Sequence, residues 1–164
     1  MNFKIGVLSD THINSLADAA DLADRLLNGP FRGADAILHA GDQVCPELES
    51  CFCPLPWYGV RGNMDRVRND LPDWRIIDFA SWKIGLIHGW GPPSGIEERV
   101  MTVFSGRGID VLVFGHSHQP LSRRQGKILL FNPGSPTQRR AAPFHSVGVL
   151  HLGDVAKAEI IRLD

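Results

Sequence analysis

Five apolar runs in this chain each stop abruptly at Asp, Asn or His beside a small residue. Ile5-Gly6-Val7-Leu8 runs into Ser9-Asp10-Thr11-His12, and Ile37-Leu38 into His39-Ala40-Gly41-Asp42. Tyr58-Gly59-Val60 gives way to Arg61-Gly62-Asn63-Met64-Asp65, Ile84-Gly85-Leu86-Ile87 to His88-Gly89, and Val111-Leu112-Val113-Phe114 to Gly115-His116-Ser117-His118. Short apolar runs of this kind read as strands buried on both faces. Where strands run parallel, ligands gather outside their carboxyl ends, because loops converge there. Glycines at those ends let the backbone turn sharply and approach a bound group. If His116 and His118 lie on extended backbone, positions i and i+2 face the same side, so both imidazoles aim at one point.

The remaining pattern fills in an architecture. Leu16, Ala19, Ala20, Ala23, Leu26 and Leu27 recur at helical spacing until Gly29-Pro30. A Cys- and Pro-rich loop precedes the strand Trp57 to Val60. Arg75–Phe79 and Trp82–Ile87 flank Ala80-Ser81 as a hairpin. Ser94 is expected to cap a helix through a capping box with Glu97, the helix running to Gly106 or Gly108. Further hairpins are expected around Gln125-Gly126 and Gly153-Asp154. The first half thus implies parallel pairing and the second antiparallel additions. The expected fold is α/β (α+β), a mixed β-sandwich flanked by helices, with residues 1–164 as a single domain.

Donor chemistry narrows the function. Asp10, His12, Asp42, Asn63, His88, His116 and His118 offer oxygen and nitrogen but no sulfur. Such a set suits Mn, Fe or Zn with partial water coordination. Seven donors exceed what one small tetrahedral ion uses, so two ions are expected. A carboxylate such as Asp42 could bridge them at the roughly 3.5–4 Å separation of two-metal phosphoesterases.

The order D-x-H, G-D, G-N, H-G and G-H-x-H, from Asp10 to His118, resembles the calcineurin-like metallophosphoesterase family, in particular its small single-domain phosphodiesterases. The resemblance implies a four-layer α/β/β/α sandwich. It also implies two divalent ions, manganese foremost, with Fe, Zn and Ni as alternatives. By position, Asp10, His12 and His118 would ligate one ion, and Asn63, His88 and His116 the other, with Asp42 between them. The implied reaction is direct hydrolysis of a phosphate diester by a hydroxide bridging the ions. One departure matters: relatives often carry a His after the "GN" that assists the leaving oxygen, whereas this chain has Met64, which cannot donate a proton. General acid help is typically worth about 10²–10⁴-fold, so activated aryl or cyclic diesters are expected to outrun monoesters.

Other features are read more plainly. Cys45, Cys51 and Cys53 are expected as free thiols of a reducing compartment. The N-terminal run is too short for a membrane span or a signal sequence, so a cytoplasmic location is expected. A net charge of −1 gives no basic stripe for nucleic acid. A small phosphate-ester substrate follows, without a membrane partner, and family relatives suggest a dimer or tetramer. The alternative is a non-catalytic metal-binding scaffold, like the small retromer subunit of the same fold; all seven donors being intact argues against it. His39 could orient a ligand or be a core His, Asp65 could hold Arg61 or a ligand His, and Arg139 or Arg140 could meet phosphate. Trp90 could wall the pocket, Asn132-Pro133-Gly134-Ser135 reads as a structural turn, and His145 and His151 as structural.

Overall fold

A computed structural model of the chain describes residues 1–66 and 70–164. One sheet joins β1 (Phe3–Leu8), β2 (Ala36–His39), β3 (Trp57–Gly59), β9 (Ser146–Leu152) and β10 (Ala156–Arg162), in the order β10-β9-β1-β2-β3. The other joins β4 (Trp74–Phe79), β5 (Trp82–Ile87), β6 (Val111–Val113), β7 (Leu121–Gln125) and β8 (Ile128–Asn132), in the order β4-β5-β6-β8-β7. Helix α1 (Leu16–Leu27) and a 3₁₀ turn over Pro46–Phe52 pack on the first sheet, and α2 (Ile96–Val103) on the second.

Side-chain alternation explains the unbroken apolar runs. Ile5, Val7, Leu38, Ile84, Leu86, Val111, Val113, Leu129 and Phe131 meet between the sheets. Their neighbours point the other way: Ile37 and Val149 bury against Leu22, Leu26, Leu48 and Phe52. Leu112 and Leu130 likewise bury against Ile96, Val100 and Phe104. Each central strand is therefore covered on both faces, and the four layers enclose three apolar seams. The open β7 and β10 edges stitch together, because Ser122 Oγ donates to Ala158 O at 3.0 Å and Arg124 Nη2 to Ala156 O at 2.9 Å.

Several local expectations are corrected. The second half is not purely antiparallel: β5 runs parallel to β6, and β6 to β8. The Cys- and Pro-rich loop contains the 3₁₀ turn, anchored by buried Leu48 and Phe52. Helix α2 lacks the Ser94 capping box; its N-cap is Gly95, in the left-handed region at φ 76°, where no side-chain cap forms. It ends at Val103, and Gly106 and Gly108 lie beyond it, left-handed at φ 71° and 68°. The cap forms instead on α1, where Ser15 Oγ accepts from Asp18 N at 3.1 Å.

Parallel β1, β2 and β3 end on one side of the first sheet, and parallel β5 and β6 end beside them in the second. The five donor-bearing termini thereby share one rim.

Candidate metal centre

At that rim the seven donors come together. Asp10 Oδ1 lies 3.3 Å from His118 Nε2 and 3.9 Å from both His12 Nε2 and His88 Nε2. Asp42 Oδ2 sits 3.5 Å from His12 Nε2 and 3.4 Å from His88 Nε2, between the two sides of the cluster. Asn63 Oδ1 faces His88 Nε2 at 3.0 Å and His116 Nδ1 at 3.2 Å. Two subsets, Asp10/His12/His118 and Asp10/Asp42/His88, each present ligand atoms within 4.8 Å of one another. Asp10 thus reaches toward both sides, not the His12/His118 side alone.

Extended backbone does not bring His116 and His118 together. The strand stops at Val113, and His116 and His118 are left-handed at φ 67° and 60°. Asp10, His12 and Asp42 are left-handed too, at φ 54°, 42° and 58°. This region is unfavourable for side-chain-bearing residues, and single positions there cost on the order of 1–3 kcal/mol each. Small neighbours make such turns possible. A Cβ on Gly62 would land on Asp42 Oδ1, and one on Gly115 would meet Ser9 Oγ and lie 2.7 Å from Asp10 Oδ2.

Backbone carbonyls settle the chemistry of three imidazoles. His88 Nδ1 is 2.7 Å from Ala40 O, His116 Nε2 is 3.0 Å from Gly91 O, and His118 Nδ1 is bonded to Gln138 O. A carbonyl only accepts, so each of these nitrogens carries the proton. In the neutral rings the other nitrogen presents a lone pair: His88 Nε2, His116 Nδ1 and His118 Nε2, all turned to the cluster. The carboxylates are arranged likewise. Asp10 Oδ2 accepts from Ser9 Oγ at 2.7 Å and His116 N at 3.0 Å, while Asp42 Oδ1 accepts from Met64 N at 2.8 Å. Their other oxygens face inward. Asp10 Oδ1, His12 Nε2 and His118 Nε2 are buried without a hydrogen-bond partner. Asp10 Oδ1 and His118 Nε2 are acceptors buried face to face, which is costly unless a cation lies between them, so the residues present fit divalent metal.

Electrostatics agree. Burial opposes charge on Asp10, but His118, His88 and Ser9 outweigh it and hold its carboxyl below the ordinary range. Asp42 is lowered in the same way, against burial, by His88, Met64 N and His12. Burial would lower His88, yet Asp42 and Asp10 raise it above the usual imidazole value. Burial lowers His12 and His116, the latter also through His88. With both carboxylates held charged, the cluster favours positive charge, which His88 can take up but His12 and His116 resist.

Residues outside the donor set hold this arrangement. Asp65 binds neither Arg61 nor a ligand His: its Oδ2 accepts from Asp42 N and Gly62 N, both at 2.8 Å, and its Oδ1 from Val44 N at 2.9 Å. His39 is fully buried, and its hydrogen-bond partners lie outside the donor set. Its Nδ1 accepts from Gly41 N at 3.1 Å, its Nε2 meets Thr11 Oγ1 at 3.1 Å, and its ring stacks on Trp57. Ser135 Oγ donates to Asp10 O at 2.8 Å, and Asn132 Nδ2 to Gly115 O at 3.1 Å, which makes the Asn132–Ser135 turn a brace for the rim. Arg139 turns back on Ala142 O, whereas Arg140 is exposed, left-handed and without a partner among the described residues. Trp90 is 48% exposed. His145 pairs with Asp164 and His151 lies near Glu159, both away from the centre. Cys45, Cys51 and Cys53 are free. Sequence reasoning passes over Ser9, which its place beside Asp10 marks, and Arg99, whose guanidinium donates to the Trp90 and Ser94 carbonyls.

Comparison with known proteins places this arrangement in a class. Residues 3–155 match the model of the calcineurin-like phosphoesterase superfamily domain, and the chain belongs to that superfamily. A protein of Methanothermobacter thermautotrophicus named probable metallophosphoesterase is 40% identical over 161 residues, covering 96% of this chain and 91% of its own. The phosphodiesterase YfcE of Escherichia coli is 29% identical over 138 residues, 79% of this chain and 69% of its own. A zinc-complexed Vps29 from Entamoeba histolytica shares the fold, with a TM-score of 0.72 at 23% identity, covering 98% of this chain and 99% of that one. Family and donor set together imply divalent metal. No helix among the described residues is long and apolar enough to cross a membrane.

Proposed function

We propose that this chain is a dinuclear metal phosphodiesterase. Asp10, His12 and His118 would hold one ion and Asn63, His88 and His116 the other, with Asp42 between them. The observation that carries the reading is the set of three imidazoles, each with one N–H spent on a backbone carbonyl and its lone pair aimed inward. Manganese fits the mixed oxygen and nitrogen donors. Kinship with the named phosphodiesterase supports the diester assignment. The ions supply Lewis acidity toward phosphate and lower the pKa of coordinated water from 15.7 toward about 7.

The protein's own groups do the rest. Asn63 is exposed and His116 half-buried, so the centre opens to solvent on their side. The exposed Arg140 guanidinium, close enough to His12 to depress its basicity, offers a phosphate oxygen a positive partner. Met64 is 58% exposed and supplies only its backbone N–H, to Asp42, so the departing oxygen receives no proton from position 64. Good leaving groups are therefore favoured, and an aryl diester turns over faster than the matching monoester. A scaffold would have no use for buried lone pairs facing one another. The near-neutral net charge supports a small ester over nucleic acid as substrate, in a cytoplasmic enzyme that self-associates.

Elemental analysis beside a diesterase assay tests this. Two equivalents of metal and Mn²⁺-dependent aryl diesterase activity are expected, both reduced in Asp42→Asn and His88→Ala. A protein that binds no metal, or that prefers the monoester, refutes the proposal.

A further inference from the structure

Gly91, whose carbonyl sets the His116 tautomer, lies in the loop between β5 and α2, and one side chain holds that loop from three directions. Arg99, on α2, donates from Nε to Trp90 O at 2.9 Å, from Nη1 to Ser94 O at 3.0 Å, and from Nη2 to Pro92 O. The bonds to Trp90 and Pro92 bracket Gly91. With both flanking carbonyls turned to the guanidinium, the Gly91 carbonyl is left facing His116 Nε2 at 3.0 Å. Gly91 itself is left-handed at φ 79°, and a Cβ there would lie 3.2 Å from the Arg99 guanidinium carbon, so loop and guanidinium are packed together. Among the described residues Arg99 meets no carboxylate; its hydrogen-bonding groups are committed to this loop.

We propose that Arg99 is a positioning residue, which aims the Gly91 carbonyl at His116 and so fixes which ring nitrogen His116 offers to the metal centre. The inference rests on the dinuclear reading above. A planar fork with several fixed donors spans three separated carbonyls; a lysine ammonium, a point charge on a flexible stem, does not. Without the clamp the loop carbonyls can turn to water, the Nε2–H···O bond is lost, and His116 can take the Nδ1–H form, which has no lone pair at Nδ1. Only the ion held by His116 is weakened.

Arg99→Lys and Arg99→Gln test this, with Arg107→Lys as a control on the segment just beyond α2. In metal-free protein at mildly alkaline pH, ¹⁵N imidazole spectra are expected to show His116 as the Nε2–H tautomer in the wild type and as a mixture in both Arg99 variants. In Co²⁺ titrations one of the two equivalents should lose about 10–100-fold in affinity, the range for partners that orient metal ligands. The other equivalent and the Arg107→Lys protein should be unchanged. An unaltered tautomer with unaltered constants in either folded Arg99 variant overturns the proposal. Equal weakening of both equivalents, or the same change in Arg107→Lys, assigns Arg99 a merely structural role and also overturns it. A wild type that fails to bind two equivalents refutes the dinuclear reading itself, and the Arg99 role with it.

Discussion

Replacing Asp65 probes how the rim is held. Its carboxylate receives three backbone N–H groups, from Asp42, Gly62 and Val44. Two of those residues, Asp42 and Val44, are left-handed at φ 58° and 68°, a conformation that is especially unfavourable for a β-branched valine. Hydrogen bonds to charged groups contribute about 1.5–3 kcal/mol each. Asp65 is only partly buried, so water replaces some of this, and Asp65→Ala should lose about 3 kcal/mol. Asp65→Asn can keep its oxygen on the Asp42 and Gly62 amides but sets an NH₂ against Val44 N–H, and should lose about 1 kcal/mol. For a chain of this length each kcal/mol lowers Tm by about 2–4 °C, which gives roughly 6–12 °C for the alanine variant and roughly 2–4 °C for the asparagine. Function should suffer more, since Asp42 Oδ2 is then free to leave its place between His12 and His88. A misplacement near 1 Å is worth about 10²-fold in rate. Thermal denaturation in chelator and aryl diesterase assays with Mn²⁺ give both quantities. If the alanine variant melts with the wild type and keeps its kcat, Asp65 does not hold the left-handed loop and the reasoning is wrong.

Other outcomes follow from single side chains. Burial lowers His39 from 6.5 to about 4, so it is neutral in the fold while the unfolded chain takes up a proton below about 6.5. Stability present above that pH is lost as pH falls toward 4, by up to about 3 kcal/mol; His39→Gln should flatten this part of a pH–denaturation curve measured in chelator. Met64→His should raise activity on diesters with poor leaving groups by up to about 10²-fold and aryl diesters far less; equal effects on both would count against a missing general acid. Gly115→Ala would drive a methyl into Ser9 and Asp10, so reduced metal content in folded protein is expected, and full metal occupancy would contradict the close packing.

How far the chain could be read from its sequence depended on the range of the interactions. The donors stood out because Asp, Asn and His seldom end apolar runs, and because glycines beside them mark tight backbone. Strand-by-strand burial was legible too, since Ile5, Leu38, Leu86 and Val113 lie in runs without polar interruption. Ser94 misled because the sequence allowed a capping box, but Gly95 takes the cap and Arg99 claims the Ser94 carbonyl. Ser15 and Asp18 carried an equally local signal for α1 that passed unread. Asp65, His39 and Arg99 act through backbone amides and carbonyls brought near only by the turns. No residue type announces such bonds, so their roles emerge only in three dimensions.

The left-handed turns at Asp10, His12, Asp42, His116 and His118 have a bearing on which ions the protein accepts. Folding has already set these dihedral angles, so an arriving cation has little left to organise and little power to reshape its surroundings. With the donor spacing set in advance, discrimination among cations would rest on their radii and preferred coordination numbers.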